Sequence, residues 1–85
     1  MEMGRIAGVI LVLYHLDKPG LVEKIVKAQH EYSSIVSSTT HLHLGKNKCL
    51  EIISVEGNAE EVRDLSQVLM SSKGVKQVKV AAIAP

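Results

Sequence analysis

An 85-residue chain with 46% hydrophobic residues has the size of one domain, and residues 1–85 are read as a single module. Ten basic and nine acidic residues leave a formal charge of +1 without a basic cluster, which argues against direct nucleic-acid contact by this chain alone. No apolar run reaches the roughly 18 residues of a membrane span, and Ala7 to Tyr14 lacks the basic start and small-residue cleavage site of a signal peptide, so a cytoplasmic location is expected.

In chain order, Ile6 to Tyr14 is apolar at nearly every position, the pattern of a strand covered on both faces. Helix packing can cover only one of those faces. With two Tyr and no Phe or Trp, a chain this short buries a modest share of its surface in an aliphatic core, so oligomerisation is an expected source of stability. Asp17-Lys-Pro-Gly-Leu21 breaks the strand, and Leu21, Val22, Ile25, Val26 and Ala28 recur at helical spacing through about His30. Ile35 to Leu44 and Cys49 to Val55 alternate apolar and polar about Gly45-Lys-Asn-Lys48, which predicts a β-hairpin. Asn58-Ala-Glu-Glu61 resembles a capping box opening a second helix with Val62, Leu65, Val68 and Leu69; Gly74 ends it before a last strand, Val75 to Ile83. The charged run Glu60-Glu-Val-Arg-Asp64 reads as a solvated helix face. The order βαββαβ predicts an α+β, ferredoxin-like split βαβ sandwich, a four-stranded antiparallel sheet with two helices on one face.

The hairpin gathers half of the chain's histidines and its only cysteine, which has no partner for an internal disulfide and suits a reducing compartment. Strand residues two apart share a face, so His41 and His43 point together and Leu42 and Leu44 point the other way. Assigning the leucines, with Leu50 and Ile52, to the helix-covered core places Cys49 and Glu51 with the histidines on the helix-free face. That arrangement requires His43 opposite Cys49 and His41 opposite Glu51, hence an odd-length loop, for which Gly45 supplies a positive φ. Two imidazoles and a thiolate then lie about 5 Å from their cross-strand neighbours, within chelating reach. A fourth donor is open to His30, at the end of the first helix and on the other side of its own sheet, so a neighbouring subunit is expected to deliver it. Three imidazoles and one thiolate suit Ni(II) or Cu(II) in a planar site, or Zn(II) in a tetrahedral one. His15 reads as a strand-end surface residue.

The H-x-H-x5-C spacing, preceded by Gln29-His30-Glu-Tyr32 and followed by Leu50-Glu51, resembles the nickel-responsive regulators of the NikR family. The resemblance spans nearly the whole chain, through Glu23-Lys-Ile-Val26, Ser38-Thr-Thr-His-Leu-His-Leu44, Cys49-Leu-Glu-Ile52 and Gly74-Val-Lys-Gln-Val-Lys79. It implies an ACT-like metal-sensing domain for transcription regulation, a homotetramer built from dimers. It further implies planar nickel held by His41, His43 and Cys49 of one subunit and His30 of another, with Gln29 and Glu51 hydrogen-bonded behind the ligands. The family joins this domain to an N-terminal ribbon-helix-helix that binds DNA; Met1 to Arg5 leave no space for one, so repression would need an attached domain or a partner. Members commonly carry an acidic residue and a histidine after the tyrosine equivalent to Tyr14, where this chain has His15 and Leu16, so a secondary metal site there is not expected.

A different reading rests on Asp17-Lys-Pro-Gly-Leu-Val22, which is similar to the strand-to-helix loop of ACT domains that bind amino acids or other small effectors, with Asp17, Gly20 and Leu21 as the binding loop. Pro-Gly at such a junction is also adequate turn chemistry by itself. No Ser-His-Asp set, paired-carboxylate site or phosphate-cradling glycine loop is present in the sequence, and the chain is read as a binding module, not an enzyme.

Overall fold

The computed structural model describes residues 4–85; Met1 to Met3, part of the Met1–Arg5 lead-in considered above, lie outside the described residues. The element order is β1 (Arg5–His15), α1 (Leu21–Glu31), β2 (Val36–Leu44), β3 (Lys48–Asn58), α2 (Ala59–Met70) and β4 (Val75–Ile83). The strands form one antiparallel sheet in the order β2-β3-β1-β4, which is the expected βαββαβ sandwich.

Local chemistry accounts for each boundary. Gly20, at φ 79°, turns the chain into α1 without a side-chain cap, and Leu21, Ile25 and Ala28 form its buried stripe. Asn58 both ends β3 and caps α2, its side-chain oxygen accepting from the backbone N–H groups of Glu60 at 2.8 Å and Glu61 at 3.3 Å. Val62, Leu65 and Leu69 are the buried stripe of α2. That helix stops at Met70, earlier than Gly74, because the hydroxyls of Ser71 and Ser72 both donate to the Val68 carbonyl and close its last turn.

The β2–β3 loop is odd in length, as the ligand pattern requires. Leu44 pairs with Lys48 across Gly45, Lys46 and Asn47, and Gly45 takes φ 66°. His43 is therefore opposite Cys49, and His41 opposite Glu51.

The face on which these residues lie is the reverse of the expectation. The core contains Ile10, Val12 and Tyr14 of β1 and Cys49, Ile53 and Val55 of β3, packed with the buried residues of α1 and α2. Cys49 and Glu51, and the histidines that share their face, are thus on the helix side. Leu42 and Leu44 are 50% and 39% exposed on the open face. Leu50 and Ile52, half-buried there, lie opposite the half-buried Leu13 and Leu11 of β1. The cause is that β1 is apolar on both faces, so alternation in the hairpin has no outside reference, and the polar side chain under the helices is one whose hydrogen bonds are satisfied.

Gly8 in β1 marks a close approach of β4, where a Cβ would stand 2.1 Å from the Ala81 carbonyl oxygen. A Gly8→Ala substitution must displace the β4 backbone. It is expected to lower stability by about 2–3 kcal/mol in urea titration, as overpacking does, with increased amide exchange along β4.

Candidate metal centre

A carboxylate in the core anchors the site. Glu51 is 2% exposed, and burying it unpaired would cost several kcal/mol. Three elements supply partners. The Tyr14 hydroxyl of β1 donates to Oε1 at 3.0 Å, and the Gln29 side-chain amide of α1 donates to Oε2. Gln29 is held in turn by Thr39 of β2, whose hydroxyl donates to Gln29 Oε1 at 2.7 Å. Burial, hydrogen bonding with Cys49 and the adjacent Glu51 charge push the Tyr14 phenol well above the usual tyrosine range, so it remains a donor. Sequence reasoning placed Gln29 and Glu51 behind the ligands by resemblance but missed Tyr14 and Thr39. The available signal was Tyr14 itself, a hydroxyl in an aliphatic strand, which needs a buried partner.

His41 stands between this carboxylate and the thiol. Its Nδ1 is 3.7 Å from Cys49 Sγ, and its Nε2 is 3.9 Å from Glu51 Oε1. Cys49 is fully buried, whereas His43, its cross-strand partner, is exposed. Metal bonds of about 2.3 Å to sulfur and 2.0 Å to nitrogen would separate those donors by about 3.0 Å at a right angle and about 3.5 Å at a tetrahedral one. The His41–Cys49 pair is within a small side-chain adjustment of either, and a histidine backed by a carboxylate is the usual environment of a metal-binding imidazole. The residues fit a soft-to-borderline metal ion.

His30 is on the same side of the sheet as His41, not across it as expected, because the hairpin's polar face lies under α1. Val26, Gln29 and His30 of α1 and Thr39, His41 and Glu51 line one cleft of about 350 Å³. Among the described residues of the single chain, no three His, Cys, Asp or Glu side chains converge closely enough to hold an ion. The Asp17–Leu21 loop shows turn chemistry: Leu21 is in the core, its N–H donates to the Lys18 carbonyl at 3.2 Å, and Asp17 lies 4.0 Å from His15 at the end of β1.

Tyr14→Phe leaves Glu51 Oε1 short of a donor and is expected to destabilise the fold by about 1–3 kcal/mol. The folded-state pKa of Tyr14 lies above that of the unfolded chain. Its contribution is therefore complete below about pH 10 and declines above it, as the unfolded phenol releases its proton. Urea midpoints between about pH 9 and 11 should fall less steeply in Tyr14→Phe than in the wild type.

Residues 7–83 match the family described as the NikR C-terminal nickel-binding domain. A protein of Methanocaldococcus jannaschii described as a nickel-responsive regulator is 44% identical over 96% of this chain and 58% of its own length. A protein of Methanocella arvoryzae with the same description is 38% identical over 96% of this chain and 59% of its own. The chain thus spans less than two thirds of the length of these curated relatives. The fold is similar to the ACT domain of the Chlorobium tepidum GTP pyrophosphokinase, with a TM-score of 0.75 at 17% identity, covering 89% of this chain and 96% of that domain. No described helix is long and apolar enough to cross a membrane. From the family match along almost its full length, the chain belongs to the NikR C-terminal nickel-binding domains, here with an ACT-like fold.

Proposed function

We propose that His41, His43 and Cys49 of one subunit and His30 of a neighbouring subunit hold one Ni(II), and that this shared site reports nickel by tightening a subunit contact. The observation that carries the reading is the meeting of His41 Nδ1 and Cys49 Sγ at 3.7 Å, with His43 paired to the same cysteine. When bound, nickel would supply a cross-link with planar preference, for which imidazole and thiolate donors are suited. The thiol must stay reduced to serve, which fits a cytoplasmic setting.

His30 suits a shared role. On α1 it follows Val22 and Val26 at four-residue intervals, and both valines are exposed, at 36% and 44%. An exposed apolar stripe ending in a donor is suited to packing against another copy's edge strand β2, where His41 and His43 stand. The open sheet face carries a second apolar surface, including Leu11, Leu13, Leu42 and Leu44. Two self-complementary contacts on opposite sides of one sheet would build a tetramer from dimers. In a longer regulator of this family, tightening the His30 contact would bias the arrangement of an attached DNA-binding domain.

Titration of metal-stripped protein with Ni(II) should give a sulfur-to-metal charge-transfer band saturating at about one metal per subunit, absent in Cys49→Ser. His30→Ala should bind at least about tenfold more weakly and lose most of the thermal stabilisation, which for the wild type is about 2.7 kcal/mol at a hundredfold excess over Kd. Unchanged stabilisation in His30→Ala would refute sharing of the site between subunits. Absence of a saturable band would refute the nickel site itself.

A further inference from the structure

Three stretches far apart in the chain meet at one joint, beside the end of α1 that carries His30. The corner between α1 and β2 is closed by its own backbone. Ser33 N–H donates to the His30 carbonyl at 3.3 Å, and the N–H groups of Ile35 and Val36 donate to the Tyr32 carbonyl at 3.0 and 3.2 Å. Ile35 is 3% exposed, and its carbonyl accepts from the Glu56 N–H at 2.9 Å. Its side chain is seated over Gly57, where a Cβ would stand 2.9 Å from Ile35 Cγ2 and where a φ of 144° favours glycine. Two residues later the Ala59 N–H, at the start of α2, donates to the Gly4 carbonyl, while the Glu56 carboxylate accepts from Arg5 at 3.0 Å. From the same corner the Ser34 hydroxyl donates to Glu61 at 3.3 Å. The exposed side-chain bonds add little; the buried isoleucine and the backbone bonds hold the joint.

We infer that Ile35 seated on Gly57 makes the end of α1 and residues 4–5 one cooperative unit, so that an event at His30 is transmitted to the segment that enters β1. The event rests on the shared nickel site proposed above, whereas the joint rests on metal-free contacts alone. Lifting Ile35 from Gly57 breaks its carbonyl bond to Glu56 and frees the turn from Glu56 to Ala59, and with it the hold on Gly4. The same opening frays the last turn of α1, where Tyr32 N–H is bonded to Ala28 and Ser33 N–H to His30. Nickel held by His30 would bind the seated state and not the opened one, and so shift the population toward it. A domain attached ahead of β1 would then be joined to a stiffer anchor in the metal-bound state, with no change of fold required.

Amide hydrogen exchange followed residue by residue by NMR tests the joint. In the metal-free protein, Ile35→Val removes one methyl from the seat and should speed exchange of the Glu56 and Ala59 amides together, by about 3- to 10-fold. Val78→Ala, a deletion in the core under β4, should leave both at the wild-type rate, which separates opening of the joint from global unfolding. At a hundredfold excess of Ni(II) over Kd, protection of both amides should rise by up to about a hundredfold. Gly57→Ala, which displaces Ile35, should remove that response at Ala59 while the sulfur-to-metal band still saturates; Ile35→Val keeps the question decidable if Gly57→Ala does not fold. Unequal responses of Glu56 and Ala59 to Ile35→Val, an equal acceleration by Val78→Ala, or nickel protection that reaches Ser33 but not Ala59 would each overturn the inference. Absence of the band would remove the shared-site reading, and the metal-free rates would still decide the joint.

Discussion

The buried carboxylate of Glu51 is the constraint from which the rest follows. A charge on a strand interior can stay beneath two helices only if each oxygen finds a donor, and here the donors come from a strand, Tyr14, and a helix, Gln29. Each bond ties a different element to β3. The sheet centre, α1 and the edge strand β2 are thereby held in one register by polar contacts, in addition to the aliphatic packing of Ile10, Ile25, Ile53, Leu65 and Leu69. Directional bonds specify a single arrangement more sharply than branched aliphatic side chains, which tolerate repacking.

The same carboxylate also decides what each side of the sheet is for. Under the helices, Glu51 lies 3.9 Å from His41, which stands beside Cys49, and α1 lines the cleft with Gln29 and His30. The opposite face, freed of this polar chemistry, is aliphatic, with Leu11, Leu13, Leu44 and Leu50 grouped and Lys79 and Gln77 along their border. Donor chemistry and apolar adhesion are therefore separated by the thickness of one sheet. Contacts formed through the two sides would not compete for the same surface.

Much of the fold was legible in the residues because it depends on short-range rules. Leu21, Ile25 and Ala28 keep helical spacing, Asn58 offers a cap, Gly45 permits a positive φ, and these are decided within a few residues of one another. The pairing of His43 with Cys49 was legible for the same reason, since a strand alternates with period two and a single loop length makes the two histidines share a face with the cysteine. The side of the sheet was not legible. Alternation says which residues travel together but not which way they point, and leucines outrank a glutamate in any estimate of burial made one residue at a time. Tyr14 lies 37 positions from Glu51, and nothing between them in the chain signals that one will satisfy the other.

By itself, then, the sequence determined the elements, their antiparallel hairpin, the odd loop and the grouping of His41, His43, Cys49 and Glu51, all consequences of backbone period and local turn chemistry. Only the tertiary structure decided that this group faces α1, that His30 lies on its side of the sheet, and that Thr39 and Tyr14 reach it through Gln29 and Glu51. The physical reason is that solvation of a buried charge is a property of the assembled core: the donors that make Glu51 tolerable come from separate elements and meet only when those elements pack.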